Sequence, residues 1–462
     1  MPSRVLGWVV AAMFYLFDVF LRLTVDVVTA KLQVDFNLSA QAISTAFSSS
    51  FFYGYAAMQI PVGTLLDQLG PQKTIICASL LSSFGCVLFS FATTTTMGTV
   101  ARVLSGVGCG CGWLGAVKVT RNSFGQGETR LVRTMFAITC MLGGVGGLIS
   151  QEPFQWLTNT LGWRAAFRAA AIVPILIAIL SFCFVSDVPY QEQNKDTTEV
   201  LPGQSTVEDP LLVTLPSSPP FENPSPSAWS ALKTCVNTPR MYAYAFFLGG
   251  TDAPFETFAG LWGVTFLHQI YGWSNTQAAA ATTIVVVLST VSQLASGSFL
   301  GYYTSMKSRF YSMTGLALLG FVSFVPFLLA PLGPAHSPPG GDALGYVSIV
   351  SLGLSVASCT IIWSIISSDP LCGAHNQNTG IISGAVNTVC IFYDAVIQQL
   401  TGVVLGYMWT GQKNSADERV YDALAFSRSF MVLAGSFGLA ILSAVFLLIT
   451  YKYKRKQVQV EQ

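Results

Sequence analysis

Charge is the scarcest feature of this chain. Asp, Glu, Lys and Arg together make up 10% of its 462 residues, against about 25% in a soluble globular protein. Hydrophobic residues account for 52%, which implies a polytopic membrane protein. A formal net charge of +1 gives no electrostatic footing for nucleic acid. Histidine occurs only 3 times. No nucleophile–base arrangement and no metal-ligand spacing is found, so the chain is not expected to be an enzyme, and no cofactor and no metal is expected. The 10 cysteines lack paired short spacings in outward loops, so no disulfide framework is implied. Cys109-x-Cys111 sits in a Gly-rich apolar run, where close packing of small residues is the expected role. A signal-peptide layout is missing too. The first apolar run is too long and lacks a cleavage site, which predicts a retained span.

What the chain has instead is apolar sequence in lengths that cross a hydrocarbon core of about 30 Å. Twelve spans are predicted, over 5–28, 42–66, 74–94, 97–119, 134–155, 165–185, 241–267, 277–300, 310–332, 344–367, 379–407 and 426–451. Six precede and six follow a stretch rich in Pro, Ser and acids and poor in aromatics, which reads as a disordered linker. The organisation expected is an N-terminal bundle (1–185), a linker (186–233), a C-terminal bundle (234–451) and a basic tail (452–462). With the N-terminus inside, Lys73, Arg121, Arg130, Arg133, Lys307, Arg309 and the tail Lys452, Lys454, Arg455 and Lys456 gather on the inner side. That asymmetry predicts cytoplasmic termini and a cytoplasmic linker.

The first span carries Asp18, Arg22 and Asp26 at i, i+4 and i+8, one side of a helix. Each would cost about 2.5–3.5 kcal/mol near a helix centre on insertion scales. The stripe therefore faces protein or a water-filled cavity. Asp18 and Arg22 read as functional groups rather than a mere structural pair, because such a pair seldom stabilises more than apolar packing would. Asp26 lies near the predicted helix end, close to water, and carries less weight.

The chain also repeats itself. Gln59-Ile-Pro-Val-Gly63-Thr-Leu-Leu-Asp67-Gln-Leu-Gly70-Pro-Gln-Lys73 follows span 2, and Gln293-Leu-Ala-Ser-Gly297-Ser-Phe-Leu-Gly301-Tyr-Tyr-Thr-Ser-Met-Lys307 follows span 8. A shift of 234 residues superposes Gln59 on Gln293, Gly63 on Gly297, Leu66 on Leu300 and Lys73 on Lys307. Two like-oriented six-span halves around a midplane site are a secondary-transporter architecture. The same shift carries Asp18 onto Asp252 and Arg22 onto Glu256. At 1.5 Å per residue, Asp18 lies roughly 18 Å from Leu6 and Asp252 roughly 16 Å from Met241, both near mid-membrane. Pro254 cannot donate a backbone hydrogen bond and leaves the Gly250 carbonyl free. With Gly249 and Gly250 beside it, a break or kink over Gly249–Pro254 is expected, serving as a gate hinge or standing as a static kink.

Gly63-x-Leu65-x-Asp67-x-x-Gly70-x-x-Lys73 resembles the loop 2–3 signature of the major facilitator superfamily. Twelve spans, the 6+6 split and the weaker second copy agree with it, so the resemblance covers nearly the whole chain. It implies an all-α membrane fold of two pseudo-symmetric six-helix bundles and gives Asp67 a gating role, capping a neighbouring helix in one conformation. Gln68 stands where a basic residue is usual, and Gly301 where the second Asp would be. Arg102-x-x-x-Gly106-x-Gly108 in span 4 is similar to the family's proton-coupling signature; an Arg that snorkels to headgroups fits equally. Span 5 has Gly143-Gly-Val-Gly146-Gly147 but not the Gly-Pro signature of drug/proton antiporters. Phe14-Tyr15-x-x-Asp18-x-x-Leu21-Arg22 and Phe258-Ala-Gly-Leu-Trp262-Gly263-Val264 look like the first and seventh spans of the bacterial intraphagosomal amino-acid transporter branch. Members of that branch take up amino acids or nucleosides. Many carry Glu at the position of Asp18 and an acid at that of Gly260.

Spans 1 and 7 are thus expected to bring Asp18, Arg22, Asp252 and Glu256 to one midplane cavity. The planar fork of Arg holds a carboxylate bidentately, and carboxylates hold an amine. A desolvated carboxyl group can exchange a proton near neutral pH. These are the parts a zwitterion/proton symporter needs. A permanent Arg22–Glu256 tie is the plain alternative, and both hold if solute or proton breaks that tie. Tyr15, Gln59 and Trp262 are secondary candidates. So are Asn387, Asp394 and Gln398 on one face of span 11, which either line the pathway or bond neighbouring helices. The function expected is alternating-access transport of a small polar, amino-acid-like solute with protons, by a monomer whose other partner is membrane lipid. A non-transporting receptor, or a carrier of nucleosides or organic anions, is the alternative. The membrane is the plasma membrane or a lysosome- or vacuole-like one, to which Glu208-Asp-Pro-Leu211-Leu212 would address it as an acidic-dileucine signal.

Overall fold

The computed structural model describes residues 2–124, 130–187, 233, 235–299, 305–333, 340–366, 379–415 and 417–461. Most of the linker, with its Glu208–Leu212 pattern, and the Gly301 end of the second loop copy lie outside the described residues. So do the side chains of Asp67 and of the tail from Lys452.

Helices make up most of the described residues. Among the described residues the only extended pairing is an isolated bridge between Lys413 and Arg419. The helical runs are α1 (Pro2–Phe36), α2 (40–68), α3 (Pro71–Ser90), α4 (Thr95–Phe124), α5 (Arg130–Ser150) and α6 (Trp163–Phe184), then α7 (239–271), α8 (Asn275–Phe299), α9 (Met306–Leu332), α10 (341–366), α11 (Thr379–Tyr407) and α12 (Ala423–Glu461). Among the described residues, 9 helices are long and apolar enough to cross a membrane. The other runs are α2, α5 and α7, and two of these, α2 and α7, contain π-helical turns (Ser44–Ser49 and Phe258–Trp262). An amphipathic helix, Glu152–Leu161, leads from α5 to α6. Successive helices alternate in direction, so both chain ends lie on one face, here called the terminus face. The turns after α1, α3, α5, α7, α9 and α11 lie on the far face.

Small residues set the spacing. A Cβ on Gly106 of α4 would come within 2.0 Å of the Phe51 carbonyl oxygen on α2, and one on Gly146 of α5 within 2.0 Å of the Leu16 carbonyl on α1. These helices therefore meet backbone to backbone. Cys109 and Cys111 are buried and unlinked within this packing. At the terminus face, the N–H of Gln72 in the first turn of α3 donates to Asp187 Oδ1 at 2.7 Å. A carboxylate there satisfies an open helix end.

α1 runs well beyond the predicted 5–28. Polar residues ended the apolar run in the sequence, but tertiary partners satisfy each of them. Lys31 Nζ donates to Asn159 Oδ1 (2.9 Å), Gln33 to the Tyr421 hydroxyl (2.8 Å), and Trp163 Nε1 (2.8 Å) and Arg164 to Asp35. The helix stops at Asn37, which adopts φ 50, a left-handed turn that Asn tolerates.

Candidate solute site between the halves

The residues paired by the repeat meet in space. Arg22 Nη2 donates to Asp18 Oδ1 and Oδ2 at 3.3 and 3.2 Å, one helical turn back on α1. Its Nη1 donates across the halves to Glu256 Oε1 on α7 at 3.3 Å. Arg22 and Glu256 are 234 positions apart, so each contacts its own repeat equivalent, as residues on a pseudo-two-fold axis do. Tyr55 of α2 donates to Asp18 Oδ2 (3.4 Å), and its ring lies 5.0 Å below the guanidinium. Gly112 of α4 leaves room for Asp18, since a Cβ there would stand 3.0 Å from the Asp18 Cβ. Asp18 and Glu256 are buried. Arg22 Nε and Glu256 Oε2 have no partner among the described residues.

One turn from Glu256, on the terminus-face side, Asp252 forms a second cluster. One ligand atom each of Asp252, Cys390 and Asp394 lie within 4.8 Å of one another. Cys390 and Asp394 are i, i+4 on α11, with Sγ 3.9 Å from Asp394 Oδ2. Asp394 is buried and its Oδ1 has no partner among the described residues, whereas Asp252 is partly exposed. Tyr15 and Trp113, both partly exposed, lie in the N-terminal half with ring centroids 5.2 Å apart at a 55° tilt, and Tyr15 is within electrostatic range of Asp18, Arg22 and Asp252. Trp113 escaped the sequence reading, because an isolated aromatic in an apolar span carries no periodic signal.

Beyond the Arg22–Glu256 contact, toward the far face, N-terminal side chains hold the π-turn of α7. Asp26 accepts from the Val264 N–H (3.3 and 3.4 Å). Thr29 donates to the Leu261 carbonyl (3.4 Å), and Gln151 to that of Ala259 (2.9 Å) while accepting from Thr282 (2.7 Å). A π-turn redirects backbone groups out of the α pattern, and here side chains of α1 and of the break after α5 meet them. Asp26 is accordingly neither shallow nor near water. It is buried mid-helix because α1 is longer than its apolar run.

The expected break at Gly249–Pro254 is displaced. α-Helix continues through Pro254 to Thr257, and the departure comes in the next turn, at Phe258–Trp262. Gly249 and Gly250 serve close packing: Cβ atoms there would lie 2.9 Å from Tyr393 Cδ1 and 2.7 Å from the Ser436 carbonyl. Trp262 is buried beside Tyr421, its Nε1 without a partner among the described residues. Arg102 does not snorkel. It is buried, its Nε donating to the Phe47 carbonyl (2.6 Å) and its Nη1 to that of Leu21 (3.3 Å), 4.6 Å over the Phe51 ring. It fastens α4 to α1 and α2.

α2 and α11 run antiparallel along the seam. Ser48 donates to Gln398, Ser49 to the Ala395 carbonyl (2.8 Å), Tyr53 to Gln399 (2.8 Å) and Asn387 to Gln59 (2.9 Å). Gln59 also reaches the Gly110 carbonyl (3.1 Å). Asn387–Gln59 lies on the terminus-face side of the other α2–α11 bonds named here. At the turn from α2 to α3, Gly63 in the last part of α2 has nothing within 4 Å of a Cβ position, Gly70 takes φ +87, and Lys73 in the first turn of α3 is exposed. The halves are thus hydrogen-bonded to each other on the far face and at mid-depth.

Comparison with known proteins agrees with this architecture. The sequence profile described as Major Facilitator Superfamily matches residues 7–392. The uncharacterized transporter YybO of Bacillus subtilis (strain 168) is 25% identical over 393 residues, 82% of each chain. The probable sulfoacetate transporter SauU of Cupriavidus necator is 23% identical over 437 residues, 92% of this chain and 89% of that one. A bacterial homologue of the human lysosomal transporter Spinster, solved inward-facing and unoccupied, superposes with a TM-score of 0.68 over 96% of each chain at 15% identity, a likeness of fold. With a profile match across most of its length, a twelve-helix two-bundle fold and relatives named as transporters, the chain belongs to the major facilitator superfamily of membrane transporters.

Proposed function

We propose that the protein moves a small polar, amino-acid-like solute across a membrane by alternating access, coupled to protons, with Asp18, Arg22, Asp252 and Glu256 at its centre. The observation that carries this reading is the buried bridge from Arg22 to Asp18 and Glu256 at the crossing of α1 and α7. It joins the two halves at mid-depth, so any rocking of one half against the other remakes or breaks it. A solute carboxylate that competes for Arg22, or a proton that takes the place of Arg22 on Glu256, releases α7 from α1. Gly63, Asp67, Gly70 and Lys73 gate the terminus face, and Asp26, Thr29 and Gln151 the far face. We assign the terminus face, the linker and both chain ends to the cytoplasm, and the working unit is a monomer. The bonds between the halves then close the outside.

Purified protein in liposomes tests this. Labelled amino acids, nucleosides, sugars and organic acids are offered at two pH values. Counterflow of an amino acid, with uptake driven by an inward proton gradient, is expected. Binding without counterflow would sink the transport reading in favour of a receptor, and uptake indifferent to the gradient would remove the proton.

A further inference from the structure

We propose that Asp252, Cys390 and Asp394 form the docking point for a positively charged group of the cargo, so that the cargo is an amine-bearing solute and not an organic anion. This rests on the transport reading and deepens it.

The charge inventory comes first. Asp18, Glu256, Asp252 and Asp394 interact with one cation between them among the described residues, Arg22. Two of those acids, Asp18 and Glu256, already hydrogen-bond Arg22. Asp252 and Asp394 have no such bond; the Cys390 thiol lies between them, and the other groups in electrostatic range are the Cys359 thiol, the Glu256 carboxyl and Tyr15. A buried charge stands only when paired, and a cleft lined by one sign concentrates the opposite one.

Geometry gives the cluster a mouth and a floor. Asp252 is partly exposed, so a solute can reach it, and it lies within electrostatic range of Tyr15 of the other half. Asp394 lies behind it, at 0% exposure, with Oδ1 unpartnered. The uncharged Cys390 thiol brings no positive charge of its own. An ammonium group carries three donors, enough for Asp252, Asp394 Oδ1 and one further acceptor. Tyr15 and Trp113 of the other half are partly exposed aromatics, and a ring face that meets a cation attracts it. Asp252 and Glu256 are one helical turn, about 5.4 Å, apart. An amino acid seated by its ammonium at Asp252 therefore has its carboxylate directed toward Arg22, whereas a solute with a carboxylate alone meets unpaired acids.

The test uses matched trios: alanine, ethylamine and propionate; leucine, isopentylamine and 4-methylpentanoate. Binding to the purified full chain is read by thermal shift and microcalorimetry, separately from counterflow in liposomes. Amine-bearing members of at least one trio are expected to bind and the carboxylate-only member not to. Asp394→Asn and Asp252→Asn should each weaken amine binding at least tenfold, and Asp394→Glu should restore part of it, which a variant that had merely misfolded would not. Carboxylate-only compounds binding as well as their amine partners would overturn the proposal. So would Zn2+ binding that Asp394→Asn and Cys390→Ser abolish, without any amine binding, since the cluster would then be a metal site. Amine binding without counterflow would support the docking point while removing the transport reading on which its role as a cargo site rests.

Discussion

α1 and α7 occupy equivalent places in the two halves, and their differences are instructive. Both cross near the pseudo-axis, and both carry ionisable groups at the same two positions. α1 bears an acid and the cation, Asp18 and Arg22. α7 bears two acids, Asp252 and Glu256. α1 is α-helical from Pro2 to Phe36, whereas α7 opens into a π-turn one step past Glu256. The side chains that engage the redirected backbone of α7 include Asp26 and Thr29 of α1. One copy of the repeat has kept a regular helix and supplies side chains. The other supplies irregular backbone for them to hold. A symmetric tie at the axis, Arg22–Glu256, is thereby backed by an asymmetric one toward the far face.

Removing the cation breaks this comparison most severely. Arg22→Ala strands Asp18 and Glu256 in a buried environment, and loss of one partner of a buried pair costs about 3–5 kcal/mol. We expect a large fall in the melting temperature of the detergent-solubilised protein and no counterflow. The exchange Arg22→Glu with Glu256→Arg sharpens the point. If the position lies on a true pseudo-axis, the double variant should melt above either single one. A double variant no better than the singles would mean that α1 and α7 are not interchangeable there.

Much of the axis was legible in the sequence, and the reason is physical. Charges in an apolar span are expensive, so their spacing reports a face, and a duplicated chain fixes where that face finds its partner. Arg22–Glu256 followed from the 234-residue shift alone. The far-face ties were not legible. The π-turn has no spacing signature: Phe258–Trp262 reads like any apolar helix, and Pro254, the obvious breaker, sits a turn earlier in regular helix. Asp26 carries little weight in the sequence because hydropathy ends α1 where polar residues begin, and the partners of those residues, such as Asn159 and Tyr421, are distant in sequence. Gln151 and Asp187 lie at helix ends, where a lone polar residue looks like an ordinary interfacial one.

Glycine packing separates the two helices at a smaller energy. α1 is clasped by Gly146 of α5, where an added Cβ would meet the Leu16 carbonyl at 2.0 Å; α7 carries its own Gly250, whose Cβ would meet the Ser436 carbonyl at 2.7 Å. Overpacking of this kind costs about 1–3 kcal/mol. Gly146→Ala should destabilise more than Gly250→Ala, since its clash is closer and both are against backbone. The order of the two melting temperatures checks this, and the reverse order would show that the α1 side yields more easily than α7.

Asp26→Ala acts on the asymmetric tie alone. It leaves the Val264 N–H without its carboxylate, a loss of about 1–3 kcal/mol for a buried donor, and it acts in the far-face-closed form. The expected result is faster hydrogen exchange over 258–271 and a shift toward the far-face-open conformation, with Arg22–Glu256 intact. If exchange rises equally around Asp18 on α1, the two ties are one cooperative unit and the distinction between axis and latch fails.

Thr29→Val is the mildest change and the most discriminating. The Thr29 hydroxyl is 2.8 Å from the Val25 carbonyl of its own helix and 3.4 Å from the Leu261 carbonyl of α7. Its shorter contact is therefore local, and a valine of equal shape removes both, the local one at small cost because the Val25 carbonyl also accepts the helical N–H of Thr29. A net hydrogen bond contributes about 0.5–1.5 kcal/mol, and this geometry places Thr29 at the lower end. Exchange over 258–271 should rise by less than for Asp26→Ala, with no change in melting temperature. Should Thr29→Val match Asp26→Ala, the Leu261 carbonyl and not the Val264 N–H would be the group by which α1 holds α7, and the π-turn would owe its shape to a hydroxyl rather than to a carboxylate.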